Sequence, residues 1–422
     1  MLRILGLVLF LISLQDSLAS ELQFISYEVN DVQKNADFST LEKLKTRALL
    51  DYHQPFESHI DREQFYLMKV TYEAFKREKW KLNLGIEFRS PGLNGHFKPY
   101  ETFLSFNHSS LKISMGQQLI TWSRIDFFSS LDGTNTFDFN RPLFDEIENK
   151  RVGNISLLLK NNWKSFSFSS FISPWHHTSF LPKKTSNNHF YNEEQSLFLG
   201  VGENQIFSYY PYEENVRKEE FFSYGFRLEY SARSYDLALS YLKSPDLIPL
   251  LALGTTLYPE FYRTNKFALD FSSTISDFVL RGEISMIGDQ AKRDHQLEKY
   301  YSDVYNFSLS LEGRLSDSLP LFRLILNSTF DDQKRNSLLT TREETLFVEF
   351  TKNLLSERLN TRLRFIQSFE REGYSLELYQ GYEINDSFKL TGRLYTLNGS
   401  DKSMYGFYKR QDGFSLGVEV NL

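Results

Sequence analysis

Lys79-Trp80-Lys81-Leu82-Asn83-Leu84-Gly85-Ile86-Glu87-Phe88-Arg89 decides the fold, because Trp80, Leu82, Leu84, Ile86 and Phe88 take every second position and the residues between them are polar or Gly. Successive side chains of a strand point to opposite faces, so this segment has one apolar face and one wet face. The pattern returns as Phe222, Tyr224, Phe226, Leu228 and Tyr230 against Ser223, Gly225, Arg227, Glu229 and Ser231. It closes the chain as Phe414, Leu416, Val418, Val420 and Leu422. Repeated along the whole chain between turn residues, it is the signature of an all-β, antiparallel, up-and-down transmembrane barrel. A soluble sandwich rarely uses so many long strands.

About 18 such segments can be counted, from residues 41–52 to residues 412–422, which predicts a closed barrel of about 16–18 strands, since bacterial single-chain barrels have even strand numbers. The connections alternate in length. Ser109-Ser110, Asn161-Asn162, Ala232-Arg233-Ser234, Ser276, Ser316-Asp317 and Asp386-Ser387 mark tight turns, whereas 123–151, 174–220, 244–265, 288–302 and 399–411 are longer. Short turns belong on the periplasmic side, which puts both termini there.

The leading residues carry Arg3, an apolar run from Ile4 to Leu14, and small residues at Ser17 and Ala19. That is a signal peptide over residues 1–19, too short for the roughly 20 apolar residues a spanning helix needs. Residues 20–40 are polar and unpatterned and read as a periplasmic segment, leaving 41–422 as the barrel. The chain has no cysteine, which excludes a disulfide scaffold, a lipid anchor and a thiolate metal site. Its net charge of -6 is unchanged by cleavage, since Arg3 and Asp16 leave together, and no basic stripe points to nucleic acid. The expected location is the outer membrane of a Gram-negative bacterium, with its lipids as one partner. The 39 Phe and 24 Tyr suit strand ends at the lipid headgroup level.

The residues between the apolar ones form the inward face. In the last strands its charges alternate in sign: Glu349, then Arg362 and Arg364, then Glu377 and Glu383, then Lys389 and Arg393, then Glu419. Barrel closure sets Glu419 beside Lys43, Lys45 and Arg47. Opposite charges on neighbouring strands contribute about 0.2–1 kcal/mol each, enough to hold register. The same charges describe a water-filled lumen of weak ion selectivity. Arg281 and Glu283 belong to this face because Phe278, Leu280, Ile284 and Met286 occupy the other, and Arg227 and Glu229 belong to it for the same reason.

Gly116-Gln117-Gln118-Leu119-Ile120-Thr121-Trp122, followed by Asp126, Asp132, Asn135, Asp138 and Arg151, resembles a motif of the porin-like and alginate-export-like proteobacterial outer-membrane barrels. Phe267–Phe271 with Phe278–Glu283 is similar to a second hallmark of that group. The chain departs from it at Ser123, where Gly is usual, and at the terminal Leu422, where Phe is usual. The resemblance implies a diffusion channel or exporter. The segment from Ser123 to Arg151, with Trp122, Asp126, Asp132, Asp138 and Arg151, is the candidate constriction. Six acidic residues there against four basic ones predict a mild cation preference.

Catalytic and metal chemistry find no support in the sequence. His176-His177 has no further ligand at metal spacing and reads as a loop pair. Asn107-His108-Ser109 lies at a predicted periplasmic turn, away from where outer-membrane hydrolases place their sites. Gly200-Val201-Gly202 is too short to cradle phosphate. No cofactor is expected. The expected function is porin-like passage of small polar solutes; the alternatives are a surface barrel closed by its loops, an adhesin or structural protein, and a polysaccharide exporter.

Overall fold

The computed structural model describes residues 44–421 apart from 57–62, 78, 92–95, 126, 142, 183–185, 187–188, 193–196, 200–201, 204–219, 254–255, 295–297, 317 and 333–341. The signal peptide, residues 20–40, Lys43, Asp126 and, in the long 174–220 connection, Tyr209-Tyr210-Pro211-Tyr212 therefore lie outside the described residues. Thr46–Leu422 forms one compact unit.

That unit is a closed, 18-stranded antiparallel barrel. The first nine strands are β1 (Leu44–Pro55), β2 (Glu63–Arg77), β3 (Trp80–Pro91), β4 in two pieces (His96–Pro99 and Phe103–His108), β5 (Leu111–Gln118), β6 (Asn154–Trp163), β7 (Phe166–His177), β8 (Glu220–Ser231) and β9 (Tyr235–Pro245). The second nine are β10 (Arg263–Ile275), β11 (Phe278–Arg293), β12 (Lys299–Gly313), β13 (Leu321–Asp331), β14 (Arg342–Leu354), β15 (Leu359–Ser368), β16 (Gly373–Glu383), β17 (Phe388–Gly399) and β18 (Gly413–Asn421). Each pairs with the next in sequence. β18 then returns to β1, from Arg47 opposite Asn421 to Pro55 opposite Gly413. No helix among the described residues is long and apolar enough to cross a membrane; strands do the crossing.

Burial is inverted relative to a soluble protein. On β3, Ile86 is 58% exposed while its neighbours Glu87 and Arg89 are 0% and 1% exposed. Trp80 and Leu84 share the outer face with Ile86. The same holds around the wall, where Met115, Leu157, Phe226, Leu269, Ile284, Leu326, Leu363 and Leu394 are exposed and Asp270, Glu283, Glu349, Arg364 and Glu377 are buried. The medium outside must be apolar for this to be stable, and the lumen supplies the polar partners.

The short turns use left-handed residues, with Ser109 at φ 54°, Lys164 at φ 49° and Ser276 at φ 53°. The Asn161-Asn162 turn is displaced. Both residues lie within β6, and the chain reverses at Lys164-Ser165, which lets Trp163 and Phe166 pair across the hairpin on the outer face. The predicted strand over 111–122 ends at Gln118, because the chain there turns into the lumen. Residues 288–302 are mostly strand: after a bulge at Gly288-Asp289 the β11–β12 ladder resumes at Gln290 opposite Ser302. Pro174, Trp175, His176 and His177 end β7 rather than forming a loop.

Ile86→Arg should cost about 2–4 kcal/mol, because a guanidinium would face hydrocarbon. Ser272→Glu, on the lumen side opposite Arg281, should change stability by no more than about 0.5 kcal/mol. Urea unfolding of the barrel in lipid vesicles measures both; equal effects would mean the two faces are not in different media.

Candidate functional site

The connection between β5 and β6, residues 119–153, folds into the barrel and meets the wall on several sides. Its departure is built into the sequence. Gly116 has φ 135°, and a Cβ there would stand 2.3 Å from the Thr102 carbonyl oxygen. The Gln118 amide donates to the carbonyls of Ser114 at 3.3 Å and Ser156 at 3.1 Å, and that of Gln117 donates to Gly153 at 3.1 Å. These bonds pin both ends of the segment to the wall.

Three apolar clusters then fix it. Ile120, Trp122 and Leu131 pack against Leu158, Phe171, Leu242 and Ala268. Trp122 meets Phe171 edge-on at 5.3 Å. It fits because β8 presents Gly225, where a Cβ would come within 2.9 Å of the indole. Ile125, with Phe127 and Phe128, packs on Ile325 and Phe347, and Phe144 joins Tyr395, Leu397 and Tyr408.

Between these clusters the anchors are charged. Arg124 reaches Asp270 at 2.9 Å, Glu229 at 2.9 Å and Asp236 at 3.1 Å. Arg227 holds Asp270 from the wall with both terminal nitrogens. Glu283 accepts from the Ser129 hydroxyl at 2.6 Å and from the Ser130 amide at 3.0 Å, at the start of the 3₁₀ turn Ser130–Thr134. Asp132 binds Arg151 at 2.5 Å. Asp138 meets Arg89 at 3.3 Å, and Arg89 also donates to the carbonyls of Asn149 and Arg151. Arg141 bridges Asp145 at 2.5 Å and Asp51 at 3.5 Å.

Glu146 enters a ring of arginines, 2.5 Å from Arg362 and 3.8 Å from Arg393. Burial would raise its carboxyl, but Arg362, Arg393 and Arg364 hold it below the usual range. Burial likewise opposes Asp145, which Arg141 and Arg393 pull below its ordinary value. Lys150 donates to the Leu143 carbonyl at 2.8 Å, and burial pushes its ammonium down to about 8.

The remaining inward charges form the strand-by-strand alternation. Arg364 lies 2.9 Å from Glu349 and 3.1 Å from Glu377. Arg362 and Arg393 stack over Tyr379 at 4.7 and 5.3 Å. Lys389 faces Glu419 in register, and Glu419 binds Arg47 across the closure at 2.8 Å. Arg281 and Glu283 are on the same strand but in different networks, since Arg281 pairs with Glu312 at 2.8 Å.

Most of the acidic charge counted in the segment is not free; of its acids among the described residues, only the exposed Glu148 has no ion pair. Asp132, Asp138, Asp145 and Glu146 are each held by an arginine, and Asp126 lies outside the described residues. The count therefore loses its force as a basis for cation preference. Alternation puts Arg89 on the inward face without giving it a partner, and sequence reading did not single out Arg124, Arg141, Asp51 and Asp270, which with Arg89 carry much of the anchoring. Strand alternation could have placed Asp270 inward as well; nothing local in the sequence pairs these residues with a segment tens of residues away.

On the turn side of the segment lies a polar pocket of about 510 Å³, lined by Thr121, Arg124, Lys160, Asn162, Ser167, Arg227, Glu229 and Asp236 among others. On the opposite side, part of the 178–203 connection covers the segment. The Phe139 N–H donates to the Phe180 carbonyl at 2.9 Å, the Phe180 N–H donates to the Phe137 carbonyl at 2.8 Å, and Phe139 meets Phe190 edge-on.

No family model and no curated protein matches the sequence. Solved structures share the fold. The chain is similar to Pseudomonas aeruginosa OccK2 (OpdF) in complex with glucuronate, with 10% identity, TM-score 0.56, and 90% of this chain and 96% of that one covered. It is similar to Pseudomonas aeruginosa OpdK with vanillate, at 11% identity, TM-score 0.54 and coverage of 90% and 99%. Acinetobacter baumannii OccAB1 gives 9% identity, TM-score 0.53 and coverage of 90% and 95%. At such identities the likeness is one of fold.

Glu283→Ala removes the acceptor for Ser129 and Ser130 and should destabilise the folded-in segment by about 1.5–3 kcal/mol. Gly225→Val should expel Trp122. Protease cleavage within 123–151, absent in the parent barrel and present in both variants while the strands stay intact, is the expected readout.

Proposed function

We propose that the chain is an outer-membrane channel for small polar solutes, which pass through the lumen beside the inward segment. The observation that carries this reading is the inversion of burial: an apolar belt outside, and inside a lumen lined by Arg227, Glu229, Arg281, Arg362, Arg364, Glu377, Lys389, Arg393 and Glu419 with a polar pocket against the segment. A barrel that served only as an anchor has no need of so many inward charges. The similar structures solved with glucuronate and with vanillate support small, hydroxylated solutes as the class. The segment 123–151 then sets the width of the path, with Trp122, Asp132, Asp138 and Arg151 holding its shape. The signal peptide over 1–19 would deliver the chain, and 20–40 would remain in the periplasm. No catalytic role is proposed.

A surface barrel closed by its loops is the second reading, favoured by one observation: the segment is clamped by three apolar clusters rather than hinged at one side. Export of a polysaccharide would require displacing those clusters. Planar-bilayer recording of the folded protein separates the readings. The channel reading predicts discrete steps with weak ion selectivity, and deletion of 123–151 should raise the step several-fold. Complete silence from barrel shown to be folded by its heat-dependent migration would favour the closed surface protein.

A further inference from the structure

On the turn side of the lumen, Lys112 of β5 stands directly opposite Lys160 of β6 in the ladder. Both point inward: Lys112 shares its face with the buried Ser114 and Gln118, and Lys160 shares its face with Ser156 and Leu158 and lines the pocket of about 510 Å³. Like charges directly opposite on paired strands are destabilising. Where like charges face each other elsewhere in the lumen, as Asp270 faces Glu283, Arg227 and the donors of Ser129 and Ser130 offset them. Arg47, Lys81, Arg89, Arg227, Arg281 and Arg364 each have a carboxylate within 4.0 Å, whereas no described carboxylate lies within that distance of Lys112 or Lys160. Glu229, the acid whose charge acts on Lys160, is already held by Arg124 at 2.9 Å and Arg227 at 3.3 Å.

We infer that Lys112 and Lys160 form an anion-binding site on the turn side of the inward segment, suited to a doubly charged phosphate ester on a small hydroxylated body. Two ammoniums on directly opposed residues present two compact positive charges to one group. A phosphate monoester carries close to two negative charges at neutral pH, and lysine binds phosphate as a point charge. A planar carboxylate is better matched by the fork of an arginine, and the arginines here are committed to wall and segment. Beside Lys160, Asn162, Ser167, Ser169 and Thr121 offer hydroxyl and amide groups to the rest of the solute, in a pocket of ordinary ligand size whose two carboxylates, Glu229 and Asp236, are held by Arg124. The site thus adds a solute class to the channel reading and rests on it for its meaning in transport, but binding can be measured without conduction.

The test is a titration of glucose 6-phosphate against the detergent-purified full-length barrel at pH 7.5, read by 31P line broadening, with glucose and gluconate as competitors. The site predicts saturable binding that glucose does not displace and that gluconate displaces only with an inhibition constant at least tenfold above the dissociation constant of the phosphate ester. The dissociation constant should rise at least tenfold in Lys112→Gln and in Lys160→Gln, and Lys160→Arg should recover most of the loss. Heat-dependent migration checks that each variant is folded, and if one glutamine variant does not fold the other carries the test. Unchanged binding in the folded glutamine variants, no binding in the parent, or equal competition by gluconate would overturn the inference. Since no current is recorded, failure here leaves the channel reading untouched, and a silent bilayer leaves this result standing.

Discussion

A backbone that enters hydrocarbon must satisfy every N–H and C=O within the protein, because no water is there to do so. The pairing of β1 with β18, nine residues long from Arg47 to Pro55, is where this chain meets that demand: it removes the two edges that an open sheet would leave bare. Once the wall is closed, alternate side chains have no choice of medium. Those facing out must be apolar, and those facing in must find partners within a confined polar space.

That second condition explains the lumen. An isolated buried charge is costly, whereas a charge with hydrogen-bonded partners is tolerated. Wall acids such as Asp270, Glu349 and Glu377 therefore lie beside arginines, and the 119–153 segment contributes to the same balance in both directions, with Arg124 meeting wall acids and Glu146 meeting wall arginines. The loop after Trp122 and the strand pair around Asp270 and Glu283 meet through these contacts. Arg124 reaches Asp270, and Ser129 and Ser130 reach Glu283.

The strands were legible because their information is local: a period of two needs only a few residues, and each of the 18 segments has its counterpart in the barrel. Their ends were less so. Asn161-Asn162 has turn chemistry but lies in β6, since pairing Trp163 with Phe166 on the outer face outweighs the local preference. The lumen was legible only as a set of inward charges. Which acid meets which arginine depends on where a long connection folds, and that is decided by a notch at Gly225 and by hydroxyls at Ser129 and Ser130, none of which looks exceptional in the sequence.

The contacts of the inward segment also order events in time. Its partners lie far along the chain: Ser129 bonds Glu283, 154 positions on; Glu146 bonds Arg362, 216 on; and the Phe144 carbonyl accepts from Arg393, 249 on. Closing loops of that length is entropically unfavourable until the intervening strands have brought the ends together. The segment therefore locks only after β11, β15 and β17 have joined the wall. The parts of the segment around Phe144 and Glu146 are placed late, once those strands stand in the wall.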